Sequence, residues 1–276
     1  MDWLLEPLQF QFVRRALVLA VLIGIGGGLV GAVLFLRRTV LIADAFAHSL
    51  LPGIGLAFLI LGPGTPSLLL GAIVGGLFTA GAAGLATRRF GLREETAFAV
   101  LFVCSLSLGI ALMSRVVAPT DLLHYLFGDI LAAGTLDMVI VCSVTCLTIL
   151  GVAVGYRSLV AETFDPVFHR AFGRAGAFTH AAILLAVVLN LVAGLRAVGL
   201  ILALGLFILP AVTASRYCRH FGSLLVASAA IGACGGVLGL AASWYLHLPS
   251  GACIVGCLGL ICIFSVVTSK RSDQCP

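Results

Sequence analysis

Apolar residues in this chain fall into long blocks, and most of the charge is gathered in the gaps between them. Nine blocks can be drawn, near residues 14–36, 39–62, 67–87, 95–114, 135–156, 177–195, 198–215, 222–245 and 251–268. Each is close to the roughly 20 residues an α-helix needs to cross a bilayer. Only helices or closed barrels satisfy the backbone in lipid, and these blocks far exceed the roughly ten alternating residues of a barrel strand. The pattern predicts an all-α, polytopic helical membrane protein forming a single transmembrane domain over residues 1–276. The sixth block is short, and only Arg196-Ala197-Val198-Gly199 parts it from the seventh. That pair is expected to be a tight hairpin, or to include a member that does not fully cross, so the count is eight or nine.

Composition agrees. Hydrophobic residues make up 61% of the chain and charged residues 10%, against about 25% charged in an ordinary soluble domain. Arg14, Arg15, Arg115 and Arg196 sit at one set of junctions, and the other Lys and Arg residues at the opposite set. The richer side is expected to face the cytoplasm. With nine crossings the N-terminus faces outside and the C-terminus inside. The first dozen residues, with Trp3, Phe10 and Phe12, read either as an interfacial helix or as a disordered start. The first apolar block ends in Arg37-Arg38 and not in a small-residue cleavage site, so no cleavable signal peptide is expected. Two connections are longer than turns, 115–134 outside and 157–176 inside. In the inner one Phe164, Phe168 and Phe172 share a helical stripe, Asp165-Pro166 reads as a helix start and Gly173 as a stop. Such a helix suits a groove on a cytoplasmic partner; the plainer reading lays it on the membrane surface.

Of the 33 glycines, Gly26, Gly27, Gly28 and Gly31 crowd the first block and Gly232, Gly235, Gly236 and Gly239 the eighth. In lipid, small residues that let backbones approach carry much of helix association, so these read as packing surfaces. No glycine run leads into the Lys-Ser/Thr of a phosphate loop, so any ATP hydrolysis belongs to another chain. The nine cysteines include Cys142/Cys146 and Cys253/Cys257 at one-turn spacing, but no His or acid lies within one turn of either pair, and small buried hydrophobes are the expected role.

Asp44 and His48 break the second apolar block. Four residues are about one helical turn, so both side chains leave the same face. An ionisable group at membrane depth costs roughly 2.5–3.5 kcal/mol on insertion scales, which calls for a partner or a task. A carboxylate and an imidazole suit a divalent first-row metal. They also suit a proton relay or an interhelical hydrogen bond. Other polar residues read more plainly. Glu94 and Glu95 favour a helix N-terminus, Asn190 a neighbouring helix, and Asp121 and His124 a solvated outer loop. His247 reads as interfacial, and His180 and His220 as solvated near cytoplasmic span ends.

Several motifs together resemble the integral-membrane permeases of ABC importers for zinc, manganese and iron. Asp44-Ala-Phe-Ala-His48-Ser-Leu-Leu-Pro52-Gly53 is similar to that family's Asp-x-x-x-His-x-x-Leu-Pro-Gly signature. Arg93-Glu94-Glu95-Thr96-Ala97, Leu126-Phe127-Gly128-Asp129-Ile130-Leu131, Ile208-Leu209-Pro210-Ala211 and Leu248-Pro249-Ser250-Gly251 follow in the family's order. The resemblance implies an ABC-importer permease fold in a bacterial plasma (inner) membrane. It implies paired permease subunits, a separate ATPase subunit and an extracytoplasmic metal-binding protein. It assigns the metal's passage to Asp44 and His48, and ATPase coupling to Phe164, Asp165, Pro166, Phe168, His169, Arg170, Phe172 and Gly173. No tightly bound cofactor, no enzyme activity of its own and no nucleic-acid partner are expected. Ala43 stands where the family often has Ser or Gly, and Val167 and His169 where Glu and Ala are common. Three alternatives stay open: a proton-coupled secondary transporter, with Asp44 and His48 as its relay; a non-transporting scaffold or sensor subunit; and, within the same class, an ABC importer permease for a metal chelate.

Overall fold

The computed structural model describes residues 10–62, 64–116, 130–165 and 174–268. Within them lie nine α-helices: α1 (Gln11–Leu36), α2 (Leu41–Leu61), α3 (Thr65–Phe90), α4 (Glu94–Val116), α5 (Thr135–Phe164), α6 (Arg174–Val198), α7 (Leu200–Ser215), α8 (Phe221–Leu246) and α9 (Ser250–Thr268). A single 3₁₀ turn, Ile130–Ala132, precedes α5. Eight of the nine are long and apolar enough to cross a membrane.

Two differences from the sequence reading have clear causes. The short member of the hairpin is α7, not the preceding helix. α6 runs 25 residues from Arg174, while α7 has 16, or about 24 Å at 1.5 Å per residue against a hydrocarbon core of about 30 Å. Gly199 alone makes the turn, with φ at 86°, where a side chain would be strained. α5, for its part, continues to Phe164, so residues 157–164 are helix and not part of the inner connection. Its last two turns are polar enough to end a hydropathy block yet carry nothing that breaks a helix before Pro166.

The helices form two groups. α1 packs against α8, α7 and α5, and α9 closes on α7 and α8; α2 packs against α3 and α4. α6 lies between the groups and touches α1, α5 and α7 on one side and α2 and α3 on the other. The first group is seamed by small residues. Ala20 meets Gly236, Gly24 meets Gly232 and Gly28 meets Ser228, a four-residue ladder of two antiparallel helices. A methyl group on Gly24 would strike the backbone of Gly232. Ser228 Oγ donates to Gly28 O at 2.7 Å across this seam. The glycines read as packing surfaces are therefore just that. In the second group Gly53 faces Gly71 and Gly75, and Gly109 on α4 meets Leu51 and Pro52. At the N-terminal end of α1, Phe10 and Phe12 pack their rings near Trp244 of α8, at centroid distances of 5.8 and 6.3 Å.

Candidate functional site

Asp44 lies in the first turn of α2 and His48 in the turn above it. Much of α2 is buried against its neighbours: Ile42, Ala43, Ala45, Phe46, Ala47, Ser49 and Leu50 are all covered. Leu41, Asp44 and His48 form the stripe that stays accessible. Helical spacing thus brings the two polar residues together, as expected. His48 Nε2 and Asp44 Oδ1 are 3.6 Å apart, and their side chains are 25% and 43% exposed. That separation is too long for a hydrogen bond. It is close to the ~3.4 Å between two donors that share a tetrahedral ion at ~2.1 Å bond lengths.

The surroundings leave the pair uncommitted. His48 Nδ1 is buried and has no hydrogen-bond partner among the described residues. The imidazole instead packs nearly perpendicular to the Phe102 ring, at a centroid distance of 5.1 Å. Beside the pair is a cavity of about 200 Å³ between α2 and α4, lined by Asp44, Arg38, Glu95, Phe98 and Phe102 among others. Glu95, read from sequence as a helix-start charge, therefore shares Asp44's cavity, which its position at the head of α4 did not reveal. Among the described residues no group of three His, Cys, Asp or Glu side chains is close enough to hold an ion. Cys104, Cys142 and Cys146 are exposed on α4 and α5, and Cys253 is buried on α9.

Of the residues expected to couple to an ATPase, only two are described. Phe164 ends α5, largely exposed, with its ring 6.2 Å from that of Phe221 on α8. Asp165 follows α5 and its N–H donates to Ala161 O, so it ends one helix; the helix it was expected to start, with Pro166, Phe168, His169, Arg170, Phe172 and Gly173, lies outside the described residues. The outer-loop residues Asp121 and His124 also lie outside them.

A second polar cluster lies at the same end of the bundle. Arg37, at the end of α1, donates to His180 Nδ1 of α6 at 3.0 Å. Its guanidinium is also 3.8 Å from carboxylate oxygens of Glu94 on α4 and of Glu162 on α5. His180 is therefore engaged on two sides and is not the solvated residue the sequence suggested. At the other end Arg196 Nε donates to Asp137 Oδ1 at 2.7 Å, and Asp137 also accepts from the Gly134 N–H. Asn190 behaves as read: its Nδ2 donates to Thr148 Oγ1 of α5 at 2.7 Å.

Residues 9–269 match the ABC 3 transport family. The chain belongs to that family. The chain is 35% identical over 263 residues to the manganese import system permease protein ScaB of Streptococcus gordonii, covering 95% of this chain and 93% of that one. It is 32% identical over 250 residues to the chelated iron transport system membrane protein YfeD of Yersinia pestis, covering 91% and 83%. The solved structure of PsaBC from Streptococcus pneumoniae in complex with Fab superposes with a TM-score of 0.85 at 31% identity, covering 98% of this chain and 96% of that one. The family resemblance read from the motifs is borne out: this is a multi-pass integral-membrane permease of the zinc, manganese and iron class of ABC importers.

Proposed function

We propose that this permease carries a bare divalent transition-metal ion, with manganese first and iron or zinc next, past Asp44 and His48. The observation that carries the reading is a carboxylate and an imidazole at donor-pair spacing, neither held by a hydrogen bond to the other, beside a small cavity. Two protein donors do not close a coordination shell, and a structural zinc site would supply four. Water, or the same pair on a second permease subunit, completes it. A site of this kind accepts a dehydrating cation and still lets it go, as transport requires. Its donors must be deprotonated, so acid weakens it. Zinc competes strongly at such N/O donors, so selection between metals falls largely to the external binding protein.

ATP is hydrolysed by a separate subunit that docks around residues 165–173. A second permease copy covers part of the exposed apolar surface of α3, α4 and α5, lipid covers the rest, and the assembly sits in a bacterial plasma membrane. A chelate is the second reading, favoured by the name of the Yersinia relative, but a cavity of about 200 Å³ is tight for more than a small complex. The test is manganese uptake into cells that co-express the ATPase and binding protein, with free zinc, free iron and a chelated iron as competitors. Uptake that needs the ATPase and is blocked by free metals is expected. Uptake without the ATPase, driven by a proton gradient, would overturn the proposal.

A further inference from the structure

Four charged or titratable side chains from four helices meet where α1 and α5 end and α4 and α6 begin. Glu162 is fully buried, Arg37 is 8% exposed, and Glu94, at 27%, forms the rim. Arg37 has only donors, so His180 Nδ1 accepts from it and the ring proton sits on Nε2, 3.5 Å from Glu94 Oε1. His180 Nδ1 is also 3.5 Å from Glu162 Oε1. Arg37 thus approaches both carboxylates, while His180 turns its Nε2–H toward Glu94; its Nδ1 and Glu162 Oε1 are both acceptors, kept near each other by the Arg37 guanidinium they share. Groups buried this deeply are costly to part, because each would leave another charge uncompensated.

The position of this cluster gives it a task. Glu162 is in the last turn of α5 and His180 in the second turn of α6, so the two bracket residues 165–173. Arg37 directly precedes the turn into α2, which carries Asp44. Glu94 shares its first turn with Glu95, which lines Asp44's cavity. Phe98, one turn on, lines both that cavity and a second one of about 390 Å³ beside Glu94, His180 and Arg88. The Phe98 ring also packs on Phe46 of α2, with centroids 5.0 Å apart. A contiguous run of contacts therefore leads from the ends of α5 and α6 to the Asp44–His48 pair.

Resting on the function proposed above, we infer that Arg37, Glu94, Glu162 and His180 form a rigid charge link that transmits movement of the ends of α5 and α6 to the metal pair. These are positioning residues; none of them touches the ion. When the ends of α5 and α6 move, Arg37 and Glu94 move with them, and the walls of Asp44's cavity follow.

The test uses the complex of permease, ATPase and binding protein in liposomes and reads ATP hydrolysed per manganese ion taken up. Glu162→Gln and Glu94→Gln are expected to leave the hydrolysis rate within about twofold while raising ATP per ion about tenfold. Arg37→Lys, which keeps the charge but loses the fork, falls between them and the parent. Asp137→Asn, at the other end of α5, leaves the ratio unchanged. A purely structural role lowers hydrolysis and uptake together and holds the ratio constant. If Glu162→Gln does not assemble, Glu94→Gln at the rim carries the test. A parent ratio in the variants that assemble overturns the link. A parent complex that moves no manganese overturns the proposed function instead. The link is then read from spin labels at Leu41→Cys and Phe178→Cys, both exposed. Their separation should stay fixed on nucleotide binding in the parent and change in Glu94→Gln; any other pattern overturns the link.

Discussion

Arg37 and Asp44 flank the turn between α1 and α2, yet their surroundings are opposite. Arg37 reaches partners on three other helices at 3.0–3.8 Å and is nearly closed to solvent. Asp44 lies 3.6 Å from His48, shares its cavity with Arg38 and Glu95, and is 43% exposed. At Arg37 the protein surrounds the guanidinium with its own side chains, one hydrogen-bonded histidine and two carboxylates at ion-pair distance. At Asp44 it stops short and leaves room. Both arrangements answer the cost of placing ionisable groups among closely packed apolar helices. The first removes the charges from further chemistry, and the second keeps donors for something that arrives and departs.

The largest effect should come from the open pair. Asp44→Ala and His48→Ala are each expected to cut manganese uptake by about a hundredfold, since loss of outer-shell support alone costs 10–100-fold in metal sites. Complex assembly, followed by co-purification of the ATPase, should be untouched, because neither side chain is committed to packing through a hydrogen bond. Uptake at parent levels in both variants removes the role given to the pair and with it the contrast.

The closed cluster should respond in the opposite way. Arg37→Met leaves Glu162 buried with less compensation, and breaking a buried pair typically costs about 3–5 kcal/mol. The loss is expected in thermal or denaturant unfolding of the detergent-solubilised permease. Adding Glu162→Leu to Arg37→Met should recover much of it, because an apolar replacement of both partners is often neutral. Were Arg37→Met no more destabilising than Asp44→Asn, the two clusters would be alike in energy and their difference only one of exposure.

The open pair was legible in the sequence and the closed cluster was not, for a physical reason. Asp44 and His48 are one helical turn apart, so local geometry alone brings them together. Arg37 and His180 are 143 positions apart, and each is ordinary by itself: a basic residue at a span end, a histidine near a boundary. Only the packing of α1, α4, α5 and α6 joins them with Glu94 and Glu162. The same division holds for the fold. Hydropathy located the helices because each must satisfy its backbone alone in lipid. It misplaced the C-terminal end of α5, where helix continues past the apolar block to Phe164. It also assigned the short element to the wrong side of Gly199, because residues 196–198 look like a connection but are the end of α6.

The smallest effect calibrates the other two. Asn190 and Thr148 form a neutral contact between α5 and α6, the helices that supply Glu162 and His180. Asn190 also donates to Ala186 O at 2.9 Å within its own helix, so its amide is not stranded when Thr148 is lost. A double-mutant cycle of Asn190→Leu and Thr148→Val is therefore expected to give about 0.6 kcal/mol of coupling, and no more than about 1.7, as is usual for hydrogen bonds between membrane helices. ATP used per manganese ion should not move. The helices and the depth of burial are close to those at Glu162, but the charge is absent. If this neutral contact proved as costly to break as Arg37, burial alone would account for the closed cluster, and ion pairing would have no special part in joining α5 and α6 to the turn before Asp44.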